Sequence, residues 1–99
     1  MEKVGSMRVR YRRRAKLDVE NLYRYIGERD QHAATSVAAR IRFAVSRLGA
    51  WPYMGHVGSA AKTYEWIVAG LPFVIVYEVD EVANEIAIIA VFHCAQDRP

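Results

Sequence analysis

The rhythm of apolar and polar positions changes along the chain, and each change predicts an element. From Arg8 to Arg12 charged residues alternate with Val9 and Tyr11. That is the two-residue period of a short strand with one apolar face, and its charges suit a sheet edge. Ala15, Val19, Leu22, Tyr23 and Ile26 then follow helical spacing and predict a helix from about Ala15 to Glu28. After the break Gly27-Glu28-Arg29-Asp30 comes a very regular stripe of Ala34, Val37, Ala38, Ile41, Val45 and Leu48. It predicts a second helix from about Gln31 to Leu48, stopped at Gly49. Two amphipathic helices separated by so short a break form an antiparallel hairpin, and Ala34, Ala38 and Ala44 let them approach closely.

Trp51 to Ser59, punctuated by Pro52, Gly55 and Gly58, reads as a loop. Thr63 to Val68 alternates again and reads as a strand, turned by Ala69-Gly70-Leu71. Pro72 to Val79 and Glu85 to Phe92 are rich in β-branched and aromatic residues and flank the polar break Asp80-Glu81-Val82-Ala83-Asn84, the signature of a β-hairpin. The predicted class is α+β in the order β-α-α-β-β-β: an N-terminal edge strand, then a two-helix hairpin packed on one face of an antiparallel sheet. Residues 1–6 show no periodicity and are expected to be a loose tail before a single domain over 7–99.

Both runs of the hairpin are apolar at odd and even positions alike, as in a sheet covered on both sides. Opposing Val68 to Phe73 and Val79 to Glu85 places Tyr64, Trp66, Val68, Phe73, Ile75, Tyr77, Ile89, Val91 and His93 on one face. The helices are expected to cover it. The other face then carries Ile67, Val74, Val76, Ile86, Ile88 and Phe92, with Glu65, Glu78, Ala90 and Cys94. No element of the chain remains to cover these residues, and an apolar patch of that size marks a protein interface.

Composition narrows the function classes. At 53% apolar and 25% charged the chain is ordinary globular material. No apolar run approaches the roughly 20 residues that span a bilayer, and a basic N-terminus with no apolar stretch behind it is no secretory signal. With one cysteine, Cys94, this fits the cytoplasm. Residues 1–50 hold 12 Lys/Arg against 5 Asp/Glu, a balance of +7; residues 51–99 hold 2 against 6, a balance of −4. The dense cluster Arg8 to Arg14 keeps a binding patch open beside a merely solvated face. There is no phosphate loop, nucleophile elbow or metal-ligand cluster, and neither metal nor cofactor is expected. His93 and Glu65 are the candidates for acid–base chemistry.

Several stretches resemble the ParE branch of the RelE/ParE superfamily of toxins. Ala15-Lys16-Leu17-Asp18-Val19 with Leu22, Tyr25 and Ile26 is similar to its first helix, and Pro52, Met54 and Gly55 to the loop after its second. Gly70 to Tyr77 and Val91 to Arg98 are similar to its last two strands and tail. The resemblance implies a cytoplasmic toxin held inactive by a cognate antitoxin in a hetero-oligomer. The antitoxin would cover the aliphatic face at Ile67, Val74, Val76, Ile86, Ile88 and Phe92. It also implies DNA gyrase as the target, with His93, Gln96 and Arg98 as candidate target-binding residues. The alternatives are a RelE-like endoribonuclease cutting messenger RNA in the ribosome, or an inactive member that only binds antitoxin. A RelE-type nuclease is expected to carry basic residues where Val74 and Cys94 stand, which favours the gyrase branch. The chain also departs from the family pattern at Tyr64, Glu78 and Cys94.

Overall fold

A computed structural model describes residues 6–95, so most of the predicted N-terminal tail and the candidates Gln96 and Arg98 lie outside the described residues. The elements are β1 (Arg8–Tyr11), α1 (Arg13–Gly27), α2 (Gln31–Ala50), β2 (His56–Val57), β3 (Tyr64–Ile67), β4 (Phe73–Asp80) and β5 (Glu85–His93). The helical hairpin and the order of elements match the expectation. The sheet runs β1-β5-β4-β3-β2. The strands from β2 to β5 pair antiparallel, and β1 joins the far side of β5 in parallel, Val9 beside Ile86 and Tyr11 beside Ile88. The sheet is therefore mixed. Parallel pairing here joins residues far apart in sequence, and no local turn signal announces it.

The helices close over one face of this sheet. Asp30 starts α2: its carboxylate accepts the Ala33 N–H at 3.0 Å, satisfying one of the donors that a helix N-terminus leaves bare. Helix α2 runs through Gly49 instead of stopping there. A Cβ at Gly49 would lie 3.1 Å from the Met7 carbonyl oxygen and 3.2 Å from Val9 Cγ2, so the glycine allows β1 to lie against the helix. The Met7 N–H donates to the Gly49 carbonyl at 2.8 Å, tying the two together. Ala15 of α1 and Ile41, Ala44, Val45 and Leu48 of α2 meet Val68, Phe73, Ile75, Tyr77, Ile86, Ile88 and Val91 in one core.

Three residues depart from their expected faces: Ile89, expected under the helices, lies outside the core, and two others move the opposite way. Ile86 and Ile88, read as open-face antitoxin contacts, are fully buried beneath the helices. Two irregularities combine to put them there. The β4–β5 turn pairs Asp80 with Glu85 and hence Val79 with Ile86, one residue off the assumed register. A bulge then leaves Ile89 unpaired between Ile88, opposite Tyr77, and Ala90, opposite Val76. Before the bulge the even-numbered residues face the helices; after it Val91 does, opposite Ile75. Full burial of each isoleucine contributes about 1.5–3 kcal/mol.

Tyr77 anchors the loop after α2. Its hydroxyl donates to the Pro52 carbonyl at 2.8 Å and accepts the Gly55 N–H at 3.1 Å. A Cβ at Gly55 would fall 2.5 Å from that hydroxyl and 2.8 Å from the Glu65 carbonyl oxygen, so only glycine fits there. The Tyr77 ring stacks on Tyr64 with centroids 5.6 Å apart, and burial pushes its phenol above the usual tyrosine pKa. Tyr53, hydrogen-bonded to Glu81, is pushed up to about 12 and links the same loop to the β4–β5 turn.

Candidate functional site

The face of the sheet away from the helices is ordered in cross-strand rows. One row is Ile67, Val74 and Phe92; the next is His56, Glu65, Val76 and Ala90. Farther along come Glu78, Ala87 and Arg10, then Asp80, Glu85 and Arg8. Apolar residues thus occupy one end of the face and charges the other. Val74 is buried between its neighbours, while Ile67 is 54% exposed and Val76 and Phe92 are half-buried. The structure therefore brings together four of the predicted antitoxin contacts, Ile67, Val74, Val76 and Phe92, and removes Ile86 and Ile88 from the set.

The charged end was not among the residues expected on this face, which came from the last three strands alone. Parallel pairing of β1 adds Arg8, Arg10 and Arg12 to it. Arg12 reaches Glu78 at 3.0 Å, and Arg8 and Arg10 lie 4.0 and 3.8 Å from Glu85. The alternation of arginines from Arg8 to Arg12 was visible; their acidic partners became visible only with the pairing. Both carboxylates sit among these guanidiniums, so this end of the face is a set of matched charges. From Thr63 to Ala95 the chain has no lysine or arginine at all.

The two acid–base candidates do not meet. Glu65 lies on the open face, in register with Val76. His93 pairs with Phe73, whose side chain belongs to the helix-covered core, and their rings meet edge to face at 5.6 Å. His93 Nδ1 accepts the Ala95 N–H at 3.0 Å, and the Cys94 N–H donates to the Pro72 carbonyl at 2.7 Å, so this strand end is held by its own backbone. Glu65 and His93 on opposite faces of one sheet cannot act on the same atom of a substrate.

His93 instead lines a groove of about 430 Å³ between α1 and the end of β5, with Arg14, Asp18, Asn21 and Tyr25. Strand β1 has ended by this point, and Asp18 takes over part of its role: its carboxylate accepts the Val91 N–H at 2.9 Å and lies 3.6 Å from Arg14. The helix thereby satisfies a donor on the strand edge that would otherwise lack a partner. Among the described residues no group of three His, Cys, Asp or Glu side chains could hold a metal ion, and no helix is long and apolar enough to cross a membrane.

Comparison with known proteins agrees with this geometry. Residues 9–98 match the model of the family described as the ParE toxin of the type II toxin–antitoxin system parDE. The chain is 33% identical over 96 residues to "Putative toxin Y4kP" of Sinorhizobium fredii, with 97% of each chain covered. Among solved structures, a chain of the chromosomal ParDE system from P. aeruginosa superposes with a TM-score of 0.78 at 19% identity, covering 89% of this chain and 96% of that one. A chain of the intact E. coli RelBE toxin–antitoxin complex superposes with a TM-score of 0.71 at 13% identity, covering 94% and 100%. At these identities the structural likeness establishes the fold, a two-helix hairpin on a sheet shared by both branches. The family match over almost the whole length establishes more: this chain belongs to the ParE toxin family of type II toxin–antitoxin systems.

Proposed function

We propose that this protein is a cytoplasmic toxin that acts by binding a protein target, DNA gyrase, and is silenced by an antitoxin seated on the open sheet face. The observation that carries the reading is the apolar end of that face. Ile67 stands exposed beside Val74, Val76 and Phe92, with no lysine or arginine in β2 to β5. Such a surface gains free energy when an apolar segment covers it, about 25 cal/mol for each Å² removed from water. It is a poor place to cut RNA, because phosphoryl chemistry needs positive charge beside the scissile phosphate. The arginines of β1 do not supply it. The Arg12 guanidinium is engaged by Glu78 and those of Arg8 and Arg10 lie beside Glu85, while Arg14, in the His93 groove on the other side of the sheet, lies 3.6 Å from Asp18. The antitoxin partner is further supported by the similar structures, which are toxin–antitoxin systems.

Purified toxin, freed from its antitoxin, is expected to inhibit gyrase supercoiling and to accumulate cleaved DNA. Normal supercoiling at saturating toxin would reject the target. An Ile67→Asp variant should fold normally and lose antitoxin affinity; unchanged affinity would move the interface elsewhere. Cleaved transcripts in a translating extract would instead favour the ribonuclease branch.

A further inference from the structure

We infer that a groove between α2 and β3, on the helix side of the sheet, is a second docking surface for an acidic amphipathic helix of a partner protein. Helix α2 carries Arg40, Arg42 and Arg47 and no Asp or Glu. Arg40, Phe43 and Arg47 follow at intervals of three and four, so they share one side of the helix, with the arginines about 10 Å apart along its axis. This side faces Trp66 of β3 across a groove of about 320 Å³ whose lining includes the buried Ala44 and Val68. Phe43 is 66% exposed, a large aromatic surface in water beside two cations. Among the described residues neither arginine makes an ion pair, and no carboxylate lines the groove.

The arrangement looks built for a ligand rather than for solvation. The Arg40 guanidinium is held by a hydrogen bond from Nη2 to the Ala69 carbonyl. Gly70, at φ +74°, makes room for it: a Cβ there would lie 2.7 Å from Nη2. A neutral carbonyl orients the cation without cancelling its charge. An apolar floor with aromatic walls and charge at the rim is the anatomy of a protein interface. Carboxylates one heptad apart on a partner helix would match the spacing of Arg40 and Arg47, with an apolar residue between them on Phe43 and Trp66. A nucleic acid is matched less well, since two cations engage few phosphates and the floor is apolar. Trp66 points to the helix side and Ile67 to the open face, so this surface does not depend on the antitoxin reading.

The test uses the full chain and fluorescently labelled synthetic helices carrying two glutamates one heptad apart around a leucine. The acidic peptide should bind, and more weakly as salt rises. The same peptide with lysines should not bind. Arg47→Glu, at a side chain with no hydrogen bond or ion pair among the described residues, should weaken binding by about tenfold with the circular-dichroism spectrum unchanged, and Phe43→Ser should weaken it similarly. Equal affinity of the acidic and basic peptides, or of wild type and Arg47→Glu, would overturn the proposal. So would tighter binding of a single-stranded oligonucleotide that displaces the peptide, or loss of peptide binding when Ile67→Asp alone is introduced.

Discussion

Replacing Tyr77 by phenylalanine removes one oxygen atom and leaves the buried ring in place. That oxygen serves the Pro52 carbonyl and the Gly55 N–H, both part-buried under the loop after α2. Each hydrogen bond contributes about 0.5–1.5 kcal/mol net, so losing both should cost about 1–3 kcal/mol. For a domain of this size that lowers the melting temperature by roughly 4–24 °C. Urea denaturation followed by circular dichroism measures it, with an unchanged m-value showing that only stability moved. Alkali supplies an independent check. Burial raises the Tyr77 pKa above the value of about 10 that it has in the unfolded chain. Below pH 10 the phenol is protonated in both states and its contribution is complete. Above it the unfolded chain releases a proton that the folded chain keeps, so stability falls as pH climbs toward the raised value. Tyr11 is raised in the same direction by burial, so Tyr77→Phe should show a flatter alkaline loss than wild type, not an absent one. A cost below about 0.5 kcal/mol together with an identical alkaline slope would refute the account, since water would then be replacing the hydroxyl.

The bulge predicts that Ile88→Ala costs about 2–5 kcal/mol, while Ile67→Ala stays under about 1 kcal/mol; similar losses at the two sites would place both on one face. Asp18→Ala should cost about 1–3 kcal/mol and speed amide exchange at Val91, whose N–H it satisfies. Asp30→Ala should cost about 1 kcal/mol in thermal melts by stripping the cap of α2, with no change in antitoxin binding.

These sites also show where sequence is informative. The helical hairpin was legible because Ala34, Ala38, Ile41, Val45 and Leu48 keep one period over the whole helix, and the same residues that repeat are the ones buried. The strands β3 to β5 were legible from their β-branched composition. Strand β2 was not: two residues inside a loop of prolines and glycines carry no period. Register was the harder matter. Ile86 and Ile88 alternate in one phase and Val91 follows in the other, so Ile88-Ile89-Ala90 marked the slip. A run of apolar residues conceals that slip, because every position looks fit for burial. The open face was correctly expected at Ile67, Val74, Val76 and Phe92, since Val68 does pair across the turn to Phe73, its N–H donating to the Phe73 carbonyl at 3.0 Å. The arginine–glutamate end was illegible because it depends on a strand contributed from the opposite end of the chain.

That closing contact sets a timetable. Arg8 to Tyr11 wait for Glu85 to Ile88, so more than seventy further residues must be translated before β1 can find its partner. Contacts so distant in sequence form late and slowly. A nascent chain stalled before β5 has neither the floor of the core nor the apolar row at Phe92. The buried core and the apolar row of the open face therefore mature together, when β5 joins the sheet.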